Sequence, residues 1–332
     1  MTRPADHPAV APRKVGVLLV NLGSPDAPTR HAVKAYLREF LSDPRVVEIP
    51  KLVWQAILRG VVLNTRPAKS AHAYRQIWTE TGSPLTVITA AQAAALDLGD
   101  DVLVDWAMRY GNPSIPDRLT AMIDAGCDRV LIAPMYPQYS AATTATVFDK
   151  VAEVLGARRW QPALRTLQPW YDDRDYIAAL KTSIERQVAA LTFVPDVIVA
   201  SFHSMPLATL TKGDPYHCQC QKTARLLGEA LDRELVVSFQ SKLGRAKWLE
   251  PSTEETLKRL GQEAKSVAVV TPGFVADNLE TLEEIAIRGR ETFAEAGGRH
   301  FAALECLNTS DEGMILLRQL VRRQLEGWLP RD

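Results

Sequence analysis

Residues 15–26, VGVLLVNLGSPD, run through an unbroken apolar stretch into an Asn-Leu-Gly-Ser-Pro turn. A strand with one wet face alternates apolar and polar side chains. A run that is apolar at successive positions belongs to a parallel sheet covered on both faces. Parallel neighbours need a crossover, in most cases a helix. The same grammar recurs at 102–111, 129–137, 196–204, 235–241 and 266–275. Amphipathic helical patterns lie between or after these runs at 29–41, 86–98, 114–125, 174–192, 217–232, 252–262, 278–296 and 310–328. This predicts an α/β protein of two doubly wound domains with parallel sheets. The Trp, Pro and Arg-rich stretch at 156–173 is the expected boundary.

Bulk properties narrow the function. The 332 residues exceed one small core, and 46% hydrophobic with 23% charged content suits a soluble globular protein. Lys plus Arg and Asp plus Glu are both 39, so nothing in the total charge favours a nucleic-acid partner. Four cysteines, scattered apart from one C-x-C, make no disulfide framework. The first 13 residues are polar and proline-rich, which reads as a disordered tail and not a signal peptide. No stretch reaches the roughly 20 apolar residues of a membrane span. A cytoplasmic protein is expected.

Ligands of open α/β sheets bind beyond the carboxyl ends of the strands. No G-x-G-x-x-G follows the first strand and no G-x-x-x-x-G-K-[ST] occurs, so a phosphate cradle is missing. His203 closes a mostly apolar strand, where a core histidine and a cleft base are both open readings. Arg109 closes another and calls for a carboxylate partner. Arg66 reads as a surface charge. Ser140, Thr143 and Thr144 open a helix and read first as caps. His217, Cys218 and Cys220 do not match a four-ligand metal spacing. Residues 271–290, TPGFVADNLETLEEIAIRGR, carry an acidic stripe directly after an apolar strand. Asp277, Glu280 and Glu284 fall at i, i+3 and i+7, on one face of an α-helix. Like charges so placed cost roughly 0.2–0.5 kcal/mol per pair. A solvated face is the plain reading; carboxylates opposite an imidazole would instead handle protons or a divalent cation.

Five motifs in order carry a resemblance that spans about residues 14–328: VLLVNLGSPDAPTRHAVKAYLREFLSDPRVVEIP, MYPQYSAATT, SFHSMP with GDPY, FQSKLGRAKWLEPST and PGFVADNLETLEEI. In these the chain resembles the ferrochelatases. The resemblance implies two Rossmann-like domains, 14–160 with the last helix 309–330 returning to it, and 161–308. It implies insertion of ferrous iron into protoporphyrin IX, the terminal step of haem biosynthesis. His203 and Glu280 would be the catalytic pair and iron contacts, with Asp277 and Glu284 along the proton or metal path. Leu22, Arg66, Ser83, Arg109, Tyr110, Tyr136, Gln138 and Trp248 would line the porphyrin. Leu22 stands where coproporphyrin users have Tyr, which points to protoporphyrin. Asn278 stands where many relatives have His. The partners implied are porphyrin and ferrous iron as substrates, without nucleic acid. Residues 49–66 would form the lip of the cleft, with weak peripheral contact at the inner face of the membrane. Cys218 and Cys220 sit two apart in a helical pattern and Ala141 replaces a cysteine of cluster-bearing relatives, so no iron–sulfur cluster is expected. Alternatives are a coproporphyrin III enzyme, another chelatase of this fold, or a tetrapyrrole or metal carrier without turnover.

Overall fold

A computed structural model describes residues 14–242 and 246–329; the expected tail at 1–13 lies outside them. Two four-stranded sheets, all parallel, carry the chain. The first contains β1 (Lys14–Asn21), β2 (Val102–Met108), β3 (Cys127–Pro134) and β4 (Ala163–Thr166), in the order β2-β1-β3-β4. The second contains β5 (Val197–His203), β6 (Leu235–Gln240), β7 (Ser266–Val270) and β8 (His300–Ala303), in the order β6-β5-β7-β8. The two sheets share one topology. In each, the chain reverses its direction of winding beside the first strand, the usual place for a ligand.

The apolar runs behave as their composition requires. Val17 and Leu19 point to one face of β1 and Leu18 and Val20 to the other, and all four are fully buried. The Leu18 face packs with Ile115, Leu119, Val130 and Val147 inside the first domain. The Val17 face joins a larger core that runs on through Phe202 and Ala268 of the second sheet and Leu317 of the last helix. Each such side chain contributes about 1.5–3 kcal/mol on burial. Gly23 ends the run for a steric reason. Its φ is +113°, and a Cβ there would lie 1.8 Å from the carbonyl oxygen of Tyr110.

The structure departs from the sequence reading in three places. First, β4 pairs with β3, so the first sheet extends to Thr166 and the division at 160/161 cuts through it. Second, residues 49–66, expected at the lip, lie in helical segments that the patterned stretches above do not include. The path Lys51–Ile57, Leu58–Val62 and Leu63–Ile77 leaves Leu52 89% and Val61 56% exposed. Third, Ala141–Ala145, Leu58–Val62 and Glu280–Gly289 have π-helical hydrogen bonding, wider than the α-helix the spacing presumes.

The last helix, Asp311–Leu325, is bolted to the first sheet by arginines. Arg165 on β4 donates to the carbonyls of Gln324 (2.5 Å) and Glu326 (2.9 Å) and stacks 4.3 Å from the Trp328 ring. Arg129 on β3 donates to the carbonyl of Trp328 at 2.6 Å. These donors meet the carbonyls that a helix terminus leaves without partners. Arg165→Ala is therefore expected to cost about 1–2 kcal/mol in urea unfolding, since both bonds come from a charged donor. Amide exchange should rise first in Asp311–Leu325. Unchanged exchange there would show the helix docked by its apolar face alone.

Candidate active site

The carboxyl ends of β1, β2, β5 and β6 converge on the segment after β7: Leu22 and Met108 pack with Ala276, His203 lies near Glu280, and Ser241 bonds to Glu284. His203 is the last residue of β5, half-buried. Its Nδ1 lies 2.6 Å from the carbonyl oxygen of Ser204. A carbonyl only accepts, so Nδ1 carries the proton and the neutral ring keeps its lone pair on Nε2. Ser204 is itself held, its N–H by the Gln240 carbonyl at 2.7 Å and its hydroxyl by that of Leu249 at 3.2 Å. The ring orientation is thus fixed by the sheet.

The acidic residues after β7 divide by their partners. Asp277 accepts from the Thr281 hydroxyl (2.8 Å) and the Asn308 amide (2.6 Å). Glu283 accepts from Arg288 Nε at 2.9 Å. Glu284 accepts from the N–H of Ser241 at 2.8 Å and from its hydroxyl, with Arg288 3.7 Å away. Ser241 takes a left-handed conformation, φ 68°, to present both groups. Among the described residues no side chain donates to Glu280. Burial is the main cause that pushes its carboxyl above the ordinary value of 4.5; nearby His203 opposes this, and Glu284 and Glu283 add to it. The expected stripe is therefore not uniform. Glu280 and Glu284 stay close enough to repel, whereas Asp277 is turned into a clasp with Thr281 and Asn308. The wider winding from Glu280 onward also removes the α-helical basis for placing all three on one face.

The first domain supplies the opposite wall. Arg109 is 8% exposed and forms an ion pair with Asp43, and its Nε donates to the Thr146 carbonyl at 2.8 Å. Tyr110 donates to the same Asp43 carboxylate at 2.9 Å, under a guanidinium 4.3 Å from its ring. Arg109 has the carboxylate partner its position called for, and it is fully engaged. Arg66 is different. It is half-buried, has no hydrogen bond or ion pair among the described residues, and burial lowers its pKa. Ser83 donates to Ser24 at 2.8 Å, both buried. Leu22 packs against Leu85, Met108 and Ala276, where the two domains touch. The hydroxyl of Tyr136 and the indole N–H of Trp248 are buried without a partner among the described residues. Gln138 lies elsewhere, in the seam between domains, donating to Thr223 at 3.0 Å.

Several residues at this wall escape sequence reasoning. The hydroxyls of Tyr36 and Tyr74 are raised by burial, and the charge of Glu280 reaches both. Tyr74 lies beside Ser24, and Tyr36 donates to the Gly23 carbonyl at 3.2 Å. Both sit on helices whose pattern reads as ordinary core packing. Asp43 lies 66 residues before its partner Arg109, with no local signal linking them.

A profile of the ferrochelatase family matches residues 14–325. The chain is 54% identical over 335 residues to the ferrochelatase of Rhizobium meliloti (strain 1021), covering 98% of each chain. It is 53% identical over 336 residues to that of Rhodopseudomonas palustris (strain TIE-1), covering 98% of this chain and 97% of that one. Among solved structures it is similar to SirB from Bacillus subtilis with Fe3+, at TM-score 0.57 and 13% identity, over 96% of this chain and 100% of that one. It is also similar to CbiX, the terminal enzyme for biosynthesis of siroheme in denitrifying bacteria, at TM-score 0.52 and 14% identity, over 93% and 98%. At such identity these two bear on the fold alone. The relatives that are half identical over nearly the whole chain carry more, and by them the chain belongs to the ferrochelatase family, enzymes that insert iron into a porphyrin in haem biosynthesis.

Proposed function

We propose that the substrate is protoporphyrin IX and that His203 and Glu280 remove its two pyrrole protons as ferrous iron enters. The observation that carries this is Glu280 itself, the one carboxylate of its helix start without a side-chain donor, facing an imidazole of fixed tautomer. His203 Nε2 is the acceptor for a pyrrole proton. Glu280, with its proton affinity raised, can take that proton onward or touch the iron in transit. Glu284 and Asp277 continue the acidic route from the helix. Arg66, a half-buried cation without a counter-ion, is matched to a propionate; Arg109, committed to Asp43, supports the wall. Leu22 brings no ligand atom, so it shapes the ring and leaves the metal to His203 and Glu280. Tyr136, Trp248, Tyr110 and Ser83 line the same cleft.

The reading includes no iron–sulfur cluster. Cys218 and Cys220 lie two apart on the helix Tyr216–Leu231, and burial pushes the thiols of Cys127, Cys220 and Cys306 up, against the thiolate such a cluster requires. No helix among the described residues is long and apolar enough to cross a membrane. The lip is nonetheless greasy: Leu52, Val53 and Ile57 are 89%, 55% and 41% exposed, beside Lys51 and Arg59. We read it as a peripheral contact for an anionic bilayer surface.

Three measurements bear on these assignments, beginning with anaerobic assay of the purified protein with ferrous iron and protoporphyrin. His203→Ala should lower turnover by about 10²-fold or more, the range of a lost general base, with porphyrin affinity within a fewfold. Turnover close to wild type would remove His203 from the chemistry. Glu280 adds a stability test. Its folded value is raised, so the folded state binds the proton more tightly than the unfolded chain. Stability from this group is full below its ordinary 4.5 and is lost as pH rises through the folded value. Glu280→Gln should therefore melt about 2 °C or more above wild type at pH 7.5 while turning over more slowly, and the gap should close towards pH 4. A variant that melts lower at pH 7.5 contradicts the burial argument. Finally, a Leu52→Asp, Val53→Asp double variant should lose co-sedimentation with anionic liposomes, and equal pelleting of both proteins rules the lip out.

A further inference from the structure

A shallow, open pocket lies away from His203 and Glu280, between the end of the acidic helix and the edge strand β8. Its volume is about 360 Å3, within the size range of small-molecule sites, at the low end. Its walls are aromatic: Phe193, Phe293 and Phe301 line it, and His300 stacks on Phe193 with ring centroids 5.0 Å apart and planes 23° apart. Its charge is of one sign. Arg290, Arg299 and His300 line it and no Asp or Glu does.

Several surface arginines are held by carboxylates, and the two in this pocket are not. Arg158, Arg186, Arg225 and Arg323 all make ion pairs with carboxylates. Among the described residues Arg290 has only the Phe301 ring, 5.9 Å from its guanidinium carbon, and Arg299 has no side-chain partner. Two cations turned into one concavity repel unless an anion joins them. Planar guanidinium groups match phosphate oxygens two at a time. A phosphomonoester carries about −1.5 to −2 at pH 7, which balances both arginines, where a single carboxylate would balance one. The aromatic walls add a surface for a flat ring.

We propose that this pocket binds a nucleoside monophosphate, its phosphate between Arg290 and Arg299 and its base extending the stack of His300 on Phe193. The site is independent of metal insertion, although one continuous helical path runs from Glu280 to Glu295 and ends beside it.

The test is calorimetric titration of the full chain at low salt with AMP, adenosine and inorganic phosphate in separate arms. AMP should bind with Kd below about 1 mM, and adenosine and phosphate at least about tenfold more weakly. Arg290→Ala and Arg299→Ala should each weaken AMP about tenfold or more, as loss of a charge-assisted pair does. Both side chains are exposed, so the variants should keep metal insertion at the wild-type rate, which also reports their folding. Absence of AMP binding overturns the proposal. So does AMP affinity unchanged in both variants, which would place the nucleotide elsewhere. Phosphate binding as tightly as AMP would leave a bare anion site and overturn the stacking.

Discussion

Among the described residues one carboxylate of four has no side-chain donor, and the proposed site is arranged around it. Clusters of acids on a helix are ordinarily quieted by cations or hydroxyls, and three of the four here are: Asp277 by Asn308 and Thr281, Glu283 by Arg288, Glu284 by Ser241. Glu280 receives burial and like charge instead. Burial is the main reason its proton affinity is high, and the nearby Glu284 and Glu283 add to it. These supports therefore belong to the proposed chemistry, and the left-handed Ser241 is the conformational cost of one of them.

The two halves meet rigidly below the cleft and sparsely at its mouth. Below, Gln138 reaches Thr223, the Tyr139 N–H meets Gln219 at 2.7 Å, and Asp214 accepts from the N–H of Ala141 (2.8 Å) and the hydroxyl of Ser140. Ser140 is thus a helix cap, as its sequence suggests, and is itself held by a residue of the other half. At the mouth stands the exposed pair Glu48 and Lys212, a contact worth roughly 0–1 kcal/mol in water. Such a seam keeps the strand ends aligned and leaves the entrance the cheaper part to move.

The six strands written as apolar runs are where the sequence places them, because burial on both faces leaves an unmistakable composition. Two of the four edge strands, β4 and β8, escape notice because they are short. Ala163–Thr166 and His300–Ala303 are four residues each, too short for an apolar run to stand out. Missing the first is what displaced the domain boundary. At the candidate site, the nearness of His203 to Glu280 is legible through strand ends and motif, and the ion pair of Arg109 through its need for a counter-charge. Asp43, Tyr36 and Tyr74 are not, since their meaning arises only when segments distant in the chain converge. The face assigned to Asp277 presumed an α-helical turn, and the wider winding of Glu280–Gly289 is a matter of tertiary packing that spacing does not encode.

The arginine bolts on the last helix have a consequence for biosynthesis. Arg165 grips a carbonyl 159 positions further along the chain, and everything between, the whole second sheet included, is made before that carbonyl exists. During translation the first sheet therefore waits with one flank bare while its neighbour assembles. Domains that emerge early ordinarily complete themselves early; here the half that is synthesised first is sealed last, and its flank stays uncovered until the last helix is made.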